Sequence, residues 1–285
     1  MTNLETTVLE SINHLLRNHA NLAPQVEFLA ASAQGRPNQM MVGATSKDAL
    51  ATFLTSIHPI TGGHPLVRVG GDGDGGYLVP DDFGGVVNCF SPGVAETANF
   101  ELDMAAKGIS SFMADYSVQE SPVQHPMLHF EKKYLGIVND DVFITLDDWV
   151  RQRASPEGDL LLQMDIEGAE YRVILDSDRS TLCRFRVIVV EFHAMTNLMN
   201  LHGFEIINLA FNKLLKDFEV VHIHPNNCNK PVNHLGFEIP PVMEFTFHRK
   251  DRVQKQGFAT AFPHALDHTN VAAIADFALP ACWHR

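Results

Sequence analysis

Three stretches of this 285-residue chain place titratable side chains where an apolar pattern would otherwise run on. The first is Asp159-Leu-Leu-Leu-Gln-Met-Asp-Ile-Glu-Gly-Ala-Glu-Tyr171. Its apolar run reads as a strand. Side chains alternate along a strand, so Gln163, Asp165 and Glu167 share one face at its end. A carboxylate in such a run needs a partner, because an unpaired buried charge is costly. Gly168 makes the turn, and Glu170 falls in the first turn of the next helix, where the helix macrodipole accounts for it. The second stretch, Val187–His193, puts Val187, Val189, Glu191 and His193 on one face. The third, Glu219-Val-Val-His-Ile-His-Pro225, puts His222 and His224 on one face and Val221 and Ile223 on the other.

These residue types suit two kinds of chemistry. His193 is a candidate general base, with Asp165 and Glu191 beside it. Asp165, Glu191, His222 and His224 are candidate ligands for a divalent metal. Carboxylates and waters favour Mg²⁺, whereas two imidazoles pull the choice toward Mn²⁺, Fe²⁺ or Zn²⁺. The bland reading of the two histidines is a hydrogen-bonded pair under a loop.

A nucleoside site is suggested upstream. Cys89-Phe-Ser-Pro-Gly-Val-Ala-Glu96 runs from a strand into a helix, and a glycine there lets the backbone approach a cofactor closely. It is not a GxGxxG fingerprint. Asp115 ends the next strand about 20 residues later, where a carboxylate can accept from ribose hydroxyls. Ser91, Gly93, Glu96 and Asp115 are therefore candidate cofactor contacts. Asp72-Gly-Asp-Gly-Gly76 lacks the later ligands of a calcium loop. It reads as a glycine loop near the cofactor, with Asp74 and Tyr77 offering polar contacts.

The elements that must hold these residues alternate. Apolar runs at Val86–Phe90, Ser110–Ala114, Val142–Leu146, Leu160–Met164, Val187–Phe192, Glu219–Ile223 and Val242–Phe247 are mostly separated by helical patterns. This predicts an α/β fold with a doubly wound, mostly parallel sheet, closed at one edge by an antiparallel pair. Ligands of such sheets sit outside the carboxyl ends of the strands. Ser46 is a candidate N-cap for a helix whose apolar face is Leu50, Phe53, Leu54 and Ile57. Residues 1–65 read as a helical extension, 66–250 as the main domain and 251–285 as a tail packing on it, with a weak helical pattern from Asn270 to Leu279. The extension shows apolar faces and no chemistry, which suits packing on the sheet domain or a homodimer contact.

Composition excludes some partners. The formal net charge is −13 and no basic run occurs, so nucleic acid and anionic membranes are poor partners. The apolar runs are too short to span a bilayer. No signal peptide is legible, and the four cysteines are scattered without a CxxC pair, as in a reduced, cytoplasmic protein.

Asp165-Ile-Glu-Gly-Ala-Glu170, followed by a strand ending Val-Val-Glu-Phe-His193, resembles the FkbM-type S-adenosylmethionine-dependent methyltransferases. Ile144-Thr-Leu-Asp-Asp-Trp149 resembles their segment before the acidic strand. Arg68–Tyr77 and Ser91–Glu101 resemble a branch with a DGGY segment before the first strand, and Pro263–Asn270 is a looser match. The resemblance covers roughly residues 66–250. It implies a Rossmann-like methyltransferase fold, S-adenosylmethionine as cofactor, and methyl transfer to a hydroxyl of a small molecule such as a natural product or sugar. An alcohol is a poor nucleophile at neutral pH, so a base or metal is expected. Two alternatives stand beside this: a metal-dependent hydrolase using the same Asp/Glu/His residues, and a non-catalytic binding module on a methyltransferase fold. The glycine turn and Asp115 weigh against the hydrolase, which needs no nucleoside pocket.

Overall fold

The computed structural model of the chain describes residues 43–95 and 97–285. The helical pattern expected at Leu4–Leu16, the linker before Gly43 and the candidate cofactor contact Glu96 lie outside the described residues.

A seven-stranded sheet organises the domain. Its strands are β1 (Val86–Pro92), β2 (Ser110–Ala114), β3 (Leu128–Glu131), β4 (Asp159–Met164), β5 (Phe185–Phe192), β6 (Phe218–Pro225) and β7 (Met243–Arg249). Across the sheet the order is β6-β7-β5-β4-β1-β2-β3. Neighbours from β5 to β3 pair in parallel, whereas β7 runs antiparallel between β5 and β6. This is the mostly parallel sheet with an antiparallel pair at one edge expected from the alternation of strands and helices. Every residue of β5 is buried, as a central strand covered on both faces requires.

One expected strand is displaced. Phe143–Thr145 does not join the main sheet; it pairs in parallel with Tyr134–Gly136 in a two-stranded ladder. The third sheet strand is instead Leu128–Glu131, whose short apolar content, flanked by His125-Pro126 and Lys132-Lys133, left little pattern to read. Thr145 then caps the helix Leu146–Arg153, its hydroxyl accepting from the Asp148 amide at 3.4 Å.

The sheet's two faces are covered differently. On one, Phe192, Phe245 and Phe247 pack against helices α1 (Lys47–Ser56) and α5 (Leu201–Leu214), with α2 (Asn99–Ala106), α3 (Leu146–Arg153) and α4 (Glu170–Asp176) between them in sequence. Phe211 lies 5.0 Å from Phe245 and 5.3 Å from Phe53 between ring centroids. Ser46 caps α1, and Leu50, Phe53, Leu54 and Ile57 are all buried, so this helix is built into the core. On the opposite face a hairpin, Leu66–Val69 with Tyr77–Pro80, lies over β5 and β7. The Thr246 hydroxyl donates to the Leu78 carbonyl at 2.6 Å and fastens it there.

Residues after 249 form no long element. The pattern from Asn270 to Leu279 gives turns rather than a helix. Trp283 is fully buried, and its indole N–H donates to the Glu238 carbonyl at 2.9 Å. The four cysteines are free. Among the described residues no helix is long and apolar enough to cross a membrane.

Candidate active site

The carboxyl ends of β1, β2 and β4 open on one cleft beside the hairpin loop. It has two lobes, of about 570 and 500 Å³, that share Asp74, Gly93, Ala95, Ser117 and Asp165. Both volumes lie within the usual span of small-molecule sites, roughly 300–1,000 Å³. One lobe is walled by Tyr77, Glu101 and Gln163, the other by Asp115, Tyr134, Phe143 and Glu167.

Gly93 is required by the strand packing. Its φ is +87°, and a Cβ there would sit 1.5 Å from the Asp165 carbonyl oxygen. The end of β1 therefore presses directly on the residue that ends β4. Asp115 is buried and ties two loops together. One of its oxygens accepts from the Ala95 amide at 2.9 Å, the other from the Ser117 amide at 2.7 Å and hydroxyl at 2.6 Å. The first oxygen keeps a lone pair for a ligand hydroxyl. Ser91 is fully buried behind the cleft, its hydroxyl between Glu101 and Gln163. It supports the lobe wall from within the sheet. Tyr77 lines the same lobe, and its buried hydroxyl has no hydrogen-bond partner among the described residues. Asp74, in the hairpin loop, borders both lobes.

His193 follows β5 and stands among four carboxylates. Its Nδ1 is 3.2 Å from Glu170 Oε1; its Nε2 is 3.4 Å from Glu167, 3.7 Å from Glu191 and 3.9 Å from Asp165. Glu170 Oε1 already accepts from the Ile166 and Gly168 amides, at 3.2 and 2.9 Å, so the Nδ1 side of the ring is the donor in this pair. That leaves Nε2 facing Asp165 and Glu167, which line the cleft. Burial pulls the His193 pKa down, but the Glu170 hydrogen bond and the surrounding carboxylates outweigh it and the net direction is up. Asp165 is pushed up to about 7, chiefly by burial, with Glu167 and Glu170 adding to that against the pull of His193. Glu191 is raised well above the carboxylate range by burial and by its charged neighbours Asp165 and Glu244.

The expected four metal ligands do not converge. Glu191 and His224 both pair in register with Glu244, so Glu244 stands between them on β7. His222 and His224 face the tail instead. His222 Nε2 is 2.9 Å from Asp267 Oδ1, and His224 Nδ1 forms a 3.6 Å ion pair with Asp267 Oδ2. Among the described residues the one group able to offer three ligand atoms within 4.8 Å of one another is Asp165, Glu170 and His193.

The sequence pattern assigns Glu170 only to the helix macrodipole and does not mark Glu244, Asp267 or Asn270 as site residues. Asn270 Nδ2 lies 2.6 Å from Glu244 Oε1 and 3.4 Å from Asp74 Oδ1, so the tail reaches the cleft.

Residues 103–234 match the family model described as the methyltransferase FkbM domain. Over that span, just under half of the chain, the sequence is similar to FkbM-type methyltransferases. The match begins inside α2 and contains Asp115, Asp165, Glu170, Glu191, His193, His222 and His224. Gly93 and the hairpin residues Asp74 and Tyr77 lie outside the match yet line the same cleft. No curated protein matches the sequence.

Among solved structures, the chain is similar to one from a fibrillarin/Nop5p complex, at 8% identity over 58% of this chain and 73% of that one, with a TM-score of 0.34. It is also similar to an E. coli prophage-encoded chain titled a DNA modification methyltransferase, at 13% identity and TM-score 0.34. That match covers 58% of this chain and 47% of the other, so it spans about half of that protein. A third, titled an RNA methyltransferase from Pyrococcus horikoshii, shares 11% identity over 74% of this chain and 99% of that one, at TM-score 0.31.

Proposed function

We propose that the chain is an S-adenosylmethionine-dependent O-methyltransferase acting on a hydroxyl of a small molecule. The observation that carries the reading is the Glu170–His193 pair, set between Asp165 and Glu191 at the edge of a cleft with a nucleoside-sized lobe.

The residues present fit the methyl donor. Asp115 offers its remaining acceptor position to ribose hydroxyls, and Tyr134 and Phe143 offer aromatic surface to a purine. Asp165 presents a buried oxygen without a partner among the described residues, on a wall whose charge complements a sulfonium. When bound, S-adenosylmethionine supplies an electrophilic methyl group. The chain's own work is to align an acceptor hydroxyl with it and to take up the hydroxyl proton at His193 Nε2. Glu170 holds the ring in the tautomer that leaves Nε2 basic and stabilises the imidazolium that results.

A cation-assisted form of the same reaction is the second reading, favoured by the convergence of Asp165, Glu170 and His193. Those three would hold a divalent cation that lowers the hydroxyl pKa. Titration calorimetry with S-adenosylhomocysteine, followed by methyl transfer to hydroxylated small molecules with and without a chelator, tests both. A folded protein that does not bind S-adenosylhomocysteine sinks the proposal. Turnover abolished by chelator and restored by Mn²⁺ or Mg²⁺ selects the second reading.

A further inference from the structure

The cleft also has a charge pattern that bears on the acceptor. Its walls carry five carboxylates, Asp74, Glu101, Asp115, Asp165 and Glu167, and among the described lining residues no Lys, Arg or His. Asp115 is committed to Ala95 and Ser117, and Glu101 to Ser91. Glu167 is paired with His193 Nε2 at 3.4 Å, so Asp74 and Asp165 remain for a ligand. Glu191 and Glu244 add buried carboxyl groups directly behind Asp165 and Asp74.

A second observation is independent of charge. Tyr77 is 2% exposed, lines the lobe beside Asp74 and Asp165, and leaves its hydroxyl without a partner among the described residues. Asp165 Oδ1, Glu191 Oε2 and Asn270 Oδ1 are buried and unpartnered in the same sense. Of these, Asp165 lines the cleft, and a donor brought by an occupant would satisfy its oxygen as well as the Tyr77 hydroxyl. A bound methyl donor contributes a sulfonium and an ammonium but also its own carboxylate. That leaves a surplus of acceptors in the lobe of Asp74, Tyr77 and Asp165.

We infer that the methyl acceptor carries a protonated amine beside its reactive hydroxyl, as amino sugars, aminocyclitols and amino alcohols do, and that the lobe of Asp74, Tyr77 and Asp165 receives that amine. The inference rests on the methyltransferase reading above. In the reaction the hydroxyl oxygen forms the bond to the methyl carbon while the carbon–sulfur bond breaks, its electron pair staying on sulfur. The hydroxyl proton goes to His193 Nε2. The amine remains protonated, held by carboxylates, and is not the nucleophile. The same field rejects acceptors bearing phosphate or carboxylate, because like charges brought together at short range in a partly buried site repel strongly.

The test uses the full chain saturated with S-adenosylhomocysteine. Saturation is measured first, so failure to bind it counts against the methyltransferase reading and not against this one. Matched probes are then titrated near neutral pH: glucosamine, glucose and glucose phosphate, with parallel sets built on a cyclitol and on a short-chain alcohol. In at least one set the amine is expected to bind about tenfold or more tighter than its neutral counterpart, and the phosphate least. That preference is expected to shrink with added salt and in Asp74→Asn. If no amine outbinds its neutral partner, if a phosphate binds as tightly, or if Asp74→Asn keeps the full preference, the inference is overturned. Saturating Mn²⁺ that erases the preference also overturns it, assigning the surplus charge to a metal.

Discussion

His193 Nδ1 and Glu170 Oε1 lie 3.2 Å apart, with the glutamate fully buried and also bonded to two backbone amides. The contact fixes both the orientation and the tautomer of the imidazole. It also joins two elements, the first turn of α4 and the end of β5, so the fold itself sets the geometry of the base.

Glu170→Gln keeps an acceptor oxygen for the Ile166 and Gly168 amides but removes the charge facing the ring. Burial then acts against less opposition, so the His193 pKa is expected to fall. A base must be neutral to work, so the acid limb of methyl transfer should move to lower pH while the maximal rate drops about tenfold or more. Histidine titration followed by NMR checks the first part and a pH–rate profile the second. An unmoved His193 titration would show that Glu170 is merely a cap.

Asp115→Asn is the sharper test of the nucleoside lobe than deletion of the side chain, because the amide oxygen can still serve part of the Ala95 and Ser117 bonding. Loss of a charge-assisted bond to a ligand hydroxyl is worth about 1.5–3 kcal/mol, or roughly ten- to a hundredfold in affinity. S-adenosylhomocysteine binding is expected to weaken by that amount at unchanged melting temperature. Equal affinity in a folded variant would remove Asp115 from the cofactor site.

What could be read in advance follows from how local each signal is. Asp165 stood out because it breaks an apolar strand, and its neighbour Glu191 ends the adjacent strand β5, as its position implied. His222 and His224 were correctly placed on one face, but their partner Asp267 comes from the tail, 45 residues beyond His222. No periodicity announces a contact of that kind. Glu244 sits in register with both Glu191 and His224, which depends on β7 inserting antiparallel between β5 and β6. Glu170 was visible yet misread, since its position satisfies the helix dipole equally well. The third strand carries little pattern because it lies at the edge of the sheet, beyond β2, and only Leu128 of it is buried.

The histidine pair gives the tail a pH dependence whose sign can be worked out. Burial lowers the His224 pKa, but Asp267 and the charge of Glu244 raise it to about 9 against an ordinary value of 6.5. A raised histidine stabilises the fold fully below 6.5 and loses that contribution as pH climbs through about 9. His222 is shifted down, mainly by burial, and is neutral throughout that window. Melting temperature is therefore expected to fall by a few degrees between about pH 7 and 10 in the native chain, and by less in Asp267→Asn. Parallel slopes in the two proteins would mean that the Asp267–His224 pair contributes nothing measurable.

Gly93 offers a test of how closely the site depends on the backbone. A methyl group at this position would overlap the Asp165 carbonyl at 1.5 Å, and the φ of +87° is unfavourable for any L side chain. Backbone strain of this kind costs about 1–3 kcal/mol, and the overlap adds to it because the opposing atom is main chain and cannot swing away. Gly93→Ala is expected to separate the ends of β1 and β4, moving Asp165 relative to His193. The resulting protein should melt several degrees lower and bind S-adenosylhomocysteine at least about tenfold more weakly. Gly168→Ala provides the comparison. That glycine also has a positive φ, of +99°, but nothing lies within 4 Å of its added Cβ, so it carries the conformational strain without the collision. If both variants lose stability equally and neither loses affinity, the contact between Gly93 and Asp165 is incidental to the site. A selective loss of binding in Gly93→Ala ties the glycine turn to the position of Asp165.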